Sequence, residues 1–143
     1  MSQDEPAESL GEAFGAVARR LRLASMAALA QHDVTPSQVR AIKVLAAHGP
    51  ESGGVRSKEL AERLKIAPRS ATEVVDALED KGLVSRSPDP GDRRATLVAL
   101  TEHGRALARE VRRTRGVESE KMFERLTKAD RDHLARILAK LQD

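Results

Sequence analysis

The sequence predicts a mainly α-helical domain carrying one small β-hairpin. Three observations lead there. Apolar residues recur at helical spacing over most of the chain. Hydroxyl and proline start signals divide that pattern into separate helices. One strand-like pair of segments, separated by a dense run of turn formers, interrupts the helices between Leu83 and Leu100. A chain of 143 residues fits one domain, and 40% hydrophobic with 33% charged residues is a folding composition.

The elements follow in order. Residues 1–8 read as a disordered lead. Ser9-Leu10-Gly11-Glu12 has capping-box spacing and starts or reinforces a first helix, with Asp4 and Pro6 as an earlier start. Its apolar or small residues Leu10, Phe14, Val17, Leu21, Ala24 and Ala28 form a heptad-like seam. That seam suits either a core face or a helix from a second subunit. Thr35-Pro36-Ser37-Gln38 combines a cap, an N1 proline and a glutamine at the third position. The second helix it starts buries Val39, Ile42, Leu45 and Ala46, and Gly49-Pro50 ends it. After the flexible loop 51–54, Val55-Arg56 reads as a very short strand.

Ser57 is expected to cap a third helix with Leu60, Ala61 and Leu64 inward. Lys65-Ile66-Ala67 is the turn. Pro68 opens a fourth helix burying Ala71, Val74, Val75 and Leu78 and stopping at Gly82. Two short helices so joined form a helix-turn-helix. Leu83–Arg86 and Thr96–Leu100 read as strands, and 87–92 as the turn between them, so a charged hairpin, a wing, follows the helix pair. Thr101 caps a long helix to about Arg125, with Gly116 inside it as a candidate bend. Thr127 starts the last helix, with a stripe of Leu134, Ile137, Leu138 and Leu141. The two helical ends of the chain are expected to pack together.

Composition excludes several functions. There is no Cys, so disulfides, thiolate metal sites and thiol chemistry are absent. Phe14 and Phe123 are the only aromatics, and both read as core, so base-stacking platforms for single strands are unavailable. The four histidines show no metal-ligand spacing. No nucleophile elbow or phosphate-binding glycine loop appears, so no catalytic residue, cofactor or metal site is assigned. No apolar run spans a membrane, and the acidic Met1–Glu5 start is no secretory signal. A cytoplasmic protein without membrane contact is expected.

Two constellations remain. The fourth helix turns Arg69, Ser70, Thr72, Glu73 and Asp76 outward, and a helix of this kind fits the B-DNA major groove. Arg69 can grip guanine, and Glu73 can accept from a cytosine amino group or pair with Arg69 one turn away. The hairpin tip carries Asp92, Arg93 and Arg94. An arginine there suits a narrow minor groove, with Asp92 holding a tip arginine by a fork-type pair. Between Arg56 and Arg94 basic residues exceed acidic ones by one. Binding would therefore rest on placement of arginines rather than on a broad positive field. A further basic run, Arg105, Arg109, Arg112, Arg113 and Arg115, reads as a solvated helix face. The candidate DNA-contacting set is Ser57, Pro68, Arg69, Ser70, Thr72, Glu73, Arg86, Asp92, Arg93 and Arg94.

From Thr35 to Gly104 the chain resembles the MarR family of winged helix-turn-helix transcriptional regulators. The likeness is carried by Thr35-Pro36-Ser37-Gln38, Ser57-Lys58-Glu59-Leu60-Ala61, Arg69-Ser70-Ala71-Thr72 and Leu78–Val84. It continues in Asp89-Pro90-Gly91-Asp92-Arg93-Arg94 and Leu100-Thr101-Glu102-His103-Gly104. The resemblance implies a homodimeric repressor of a pseudo-palindromic operator, relieved by a small-molecule effector. The fourth helix would be the recognition helix and Arg94 the minor-groove residue. One domain, 1–143, would hold a DNA-binding region over 35–104 and dimerisation helices over 9–33 and 105–143. The helical ends would meet the partner through Leu10, Phe14, Val17, Leu21, Leu134, Ile137, Leu138 and Leu141. No residue identifies the effector. A metal-responsive regulator of the same fold and a helical protein-interaction module without DNA binding stay open as alternatives.

Overall fold

A computed structural model of the chain describes residues 9–48 and 52–142. The readings for residues 1–8, for a start at Asp4 or Pro6, and for Gly49, Pro50 and Glu51 lie outside the described residues. The elements are α1 (Leu10–Leu29), a 3₁₀ turn (Ala30–His32), α2 (Pro36–Ala47), β1 (Val55–Arg56), α3 (Ser57–Leu64) and α4 (Pro68–Asp80). They continue with β2 (Val84–Asp89), β3 (Asp92–Leu100), α5 (Glu102–Phe123) and α6 (Lys128–Lys140). The fold is mainly helical with a small antiparallel sheet of order β1-β3-β2.

The chain divides into two compact units. One runs from Leu29 to Arg113, and the other joins the first helix up to Ala28 with the segment from Thr114 onward. The first is the winged unit. Its core is built from Val39, Ile42 and Leu45 of α2, Leu60 and Leu64 of α3, Val75 and Leu78 of α4, and Val55, Val84 and Val98 of the strands. Burying each such side chain stabilises by about 1.5–3 kcal/mol. Ala71 is buried with them, whereas Val74 is only half-covered.

Local start signals behave as read at α2. The Thr35 hydroxyl accepts from the Gln38 N–H at 3.2 Å, and the Gln38 side chain accepts from the Thr35 N–H at 3.2 Å. Ser57 departs from the expectation. It is the first residue of α3, Arg56 holds the N-cap position, and no side chain caps that helix. The β1 strand delivers the backbone in extended form, so the cap falls one residue earlier. At the other end of α4, Gly82 adopts φ 73° and the Leu83 N–H returns to the Leu78 carbonyl at 2.9 Å. This is a left-handed termination that favours glycine.

The wing is longer than expected. Val84 pairs with Leu100 and the ladder continues to Pro88 opposite Thr96, with a register shift before Asp89 meets Asp92. The turn is only Pro90-Gly91. Pro88 does not break the strand because β2 lies at the sheet edge, where a missing N–H is tolerated. Residues 92–95 carry no apolar alternation and are strand only because β2 lies beside them.

In the other unit the Ser9 hydroxyl accepts from the Glu12 N–H at 3.1 Å, and Thr127 caps α6 by accepting from Asp130 at 3.1 Å. The α5 helix runs through Gly116 unbroken. Phe14 is not a core residue: it is 59% exposed, and Phe123 is only half-buried. The same face exposes Leu10 at 90%. A heptad seam marks which face is apolar, but among the described residues its N-terminal members Leu10, Phe14 and Val17 stay exposed. Among the described residues of α6 none is buried.

Candidate nucleic-acid interface

The helix pair α3–α4 is held by a tight turn. Lys65 adopts the left-handed region (φ 56°), and its N–H and that of Ile66 return to the last carbonyls of α3. Ala67 is the N-cap of α4 and Pro68 its first residue. With Ala71, Val75 and Leu78 turned into the core, helical geometry leaves Arg69, Ser70, Thr72, Glu73 and Asp76 exposed on the other side. The Thr72 hydroxyl donates to the Pro68 carbonyl at 3.0 Å, so its methyl is the part left for a partner. Arg69, Ser70 and Glu73 have no side-chain partner among the described residues, so of the two alternatives for Glu73 the pair with Arg69 does not form.

Arg86, one of the candidate DNA-contacting residues, has partners within the chain. It lies on β2 but reaches back to α4, pairing with Asp76 at 2.5 Å and Glu79 at 3.4 Å. It also donates to the Thr72 carbonyl at 3.4 Å. Its guanidinium is thus engaged within the chain. Ser57, Thr72 and Arg86 do come together, lining one hollow of about 280 Å³ with Ala71, Val75 and Thr96.

The wing tip is organised by a residue that the sequence places in the tip motif without a role of its own. Asp89 accepts from the Gly91 N–H at 2.9 Å and from Arg56 Nε at 2.8 Å, forming an ion pair with that guanidinium. The Gly91 N–H above all, opposed by desolvation and aided by the Arg56 guanidinium, holds the Asp89 carboxyl below the usual aspartate range. Asp92 does not grip an arginine side chain. It accepts from the Arg94 backbone N–H at 3.0 Å, an Asx turn that shapes the start of β3. The two-residue turn puts Asp89, not Asp92, within reach of a guanidinium, and that guanidinium comes from β1. The side chains of Arg93 and Arg94 stand exposed without partners among the described residues.

Behind the sheet lies a cavity of about 300 Å³. Leu45, Ala99 and Leu100 give it an apolar floor, and Arg105, Arg109 and Arg112 supply charge. Arg105 donates to the Leu100 carbonyl at 3.0 Å. These arginines were read from the sequence as a merely solvated face, because α5 alone does not reveal what packs beside it. Among the described residues no cluster of three His, Asp or Glu residues is placed to hold a metal ion. No described helix is long and apolar enough to cross a membrane.

Comparison with known proteins now decides the family. Residues 34–96 match the sequence model of the MarR family. The chain is also 35% identical over 126 residues to the HTH-type transcriptional regulator ML2140 of Mycobacterium leprae, covering 88% of this chain and 80% of the relative. The protein belongs to the MarR family. It is a winged-helix transcriptional regulator. A second relative of this MarR-family chain is the HTH-type transcriptional repressor Rv2887 of Mycobacterium tuberculosis, 30% identical over 141 residues, 99% of this chain and 96% of the relative. The crystal structure of Rv2887 in complex with salicylic acid matches with a TM-score of 0.73 and 28% identity, covering 95% of this chain and 98% of that one. The transcriptional repressor CouR, solved on a 23-mer DNA duplex, matches with a TM-score of 0.76 and 28% identity over 100% of this chain and 99% of that one.

Proposed function

We propose that this MarR-family regulator is a cytoplasmic, dimeric repressor that reads a pseudo-palindromic duplex operator and is released by a small-molecule effector. One observation carries the reading. The winged unit presents two sets of free polar groups: Arg69, Ser70 and Glu73 on α4, and Arg93 and Arg94 at the wing tip. A helix for the major groove beside an arginine-tipped hairpin for the minor groove is a duplex-reading arrangement. Ser57, Pro68 and Thr72 complete the α4 side, and the Asx turn of Asp92 shapes the tip. The segments 9–33 and 105–143 are assigned to dimerisation, with 35–104 as the DNA-binding region. Their apolar residues support this: Leu10, Phe14, Val17, Ile137 and Leu141 are exposed, and Leu21, Leu134 and Leu138 are half-buried beside them. Two copies would then offer two recognition helices to successive major grooves, about 34 Å apart.

The arginine-lined cavity supports an anionic effector with a small apolar body. A preference of about 1–3 kcal/mol for one arrangement of the dimer would change DNA affinity five- to 150-fold.

Selection of binding sites from random duplexes is the test. It should enrich a sequence with two related half-sites. Arg94→Ala should then weaken binding to the enriched duplex by about 1–3 kcal/mol and flatten its salt dependence, with the dimer intact. Equal affinity of mutant and parent at matched salt would take the wing out of the mechanism. Failure to enrich any sequence would remove sequence-specific binding.

A further inference from the structure

The outer face of α4 poses an electrostatic problem. Beyond Arg69 its exposed charged side chains are all acidic: Glu73, Asp76, Glu79 and Asp80. A helix with that face cannot approach a phosphate backbone without repulsion. The geometry of Arg86 supplies an answer. From β2 its guanidinium spans the helix side, meeting Asp76 at 2.5 Å and Glu79 at 3.4 Å, while its own side chain is only 26% exposed. One cation therefore faces two carboxylates that are 59% and 45% exposed. Glu73, nearer the start of the helix, receives no such partner among the described residues.

We propose that Arg86 is a charge-masking residue. It covers the acidic second half of the recognition helix so that the helix can lie against a polyanion, and it makes no phosphate contact of its own. This inference rests on the proposed duplex-binding function. It differs from a phosphate contact, in which the guanidinium would have to face the nucleic acid. It differs also from a brace between wing and helix, in which the hydrogen bonds rather than the charges would matter.

The experiment compares four full-length proteins on a mixed-sequence DNA duplex at low salt: the parent, Arg86→Gln, Asp76→Asn/Glu79→Gln, and the triple combination. Arg86→Gln should bind about tenfold or more weakly, because two unmasked carboxylates then face phosphate. The triple variant should recover the affinity of the parent, since nothing is left to mask. The Asp76→Asn/Glu79→Gln protein, with Arg86 intact, should bind at least as tightly as the parent. That arm stands even if Arg86→Gln fails to fold, which thermal melting of each protein reports. A triple variant as weak as Arg86→Gln would show a direct contact or a brace and overturn the masking role. So would an unaffected Arg86→Gln, or weaker binding by the Asp76→Asn/Glu79→Gln protein. A parent that binds no duplex would overturn the DNA-binding function itself, and the masking role with it.

Discussion

A Cβ added at Gly104 would stand 2.0 Å from the Leu83 carbonyl oxygen. The same oxygen accepts from the Thr101 N–H at 3.0 Å, and the Thr101 hydroxyl donates to the Gly82 carbonyl at 2.6 Å. The start of α5 is thus pinned against the turn that ends α4. Alanine favours a helix interior over glycine by about 0.8–1 kcal/mol. Forcing a methyl into backbone typically costs about 1–3 kcal/mol. The clash should win, so Gly104→Ala is expected to lower the urea midpoint. Gly116 lies in the same helix with nothing within 4 Å of the added carbon. There only the propensity operates, and Gly116→Ala should raise the midpoint by about 0.5–1 kcal/mol equivalent. Opposite signs from one substitution in one helix are the outcome to look for. Arg86 belongs to this scale too. Its partners Asp76 and Glu79 lie in the preceding helix, across the α4–β2 turn, and only the turn geometry shows that they meet.

The wing shows how an element inherits its shape from hydrogen bonds that strand propensity does not contain. Its tip depends on the ionised Asp89, whose carboxyl is held low by the Gly91 N–H first and by Arg56 next. The folded value lies below the unfolded one. The stabilisation is therefore complete above the unfolded aspartate value and is lost as pH falls through the folded one. Carbon-detected NMR titration should place the Asp89 midpoint below that of an unstructured aspartate. Arg56→Gln should move it up only in part, because the Gly91 N–H remains. A midpoint at the unstructured value would show that the tip is not held this way. The caps at Thr35, Thr101 and Thr127 were legible in the sequence because each closes within four residues. The choice between Asp89 and Asp92 was not, since two acids flank the turn and the register shift beside Pro88 selects one.

For the molecule as a whole the decisive surface is the apolar face of the unit formed by the chain ends. Phe14 at 59% and Leu10 at 90% exposure are unusual for large apolar residues on a helix with a seam. If a second copy covers them, burying the Phe14 side chain contributes about 1.5–3 kcal/mol. Phe14→Glu should then weaken self-association at least about tenfold, read by sedimentation velocity across a dilution series. Circular dichroism should stay unchanged, because the side chain packs against little within its own chain. A parent that sediments as a single subunit at every concentration would remove the dimer from the account.

The amino-acid order alone determined the sequence of helices, the helix-turn-helix, the presence of a wing and the family likeness. These rest on capping hydrogen bonds, proline and glycine constraints and apolar periodicity, all of which act over a few neighbouring residues. Tertiary structure alone decided that β1 joins the sheet beside β3 and that the wing strands extend to a two-residue turn. It decided which carboxylates claim Arg56 and Arg86, and that the α5 arginines border a cavity. Those outcomes depend on distances between segments far apart in the chain, which a local pattern does not encode.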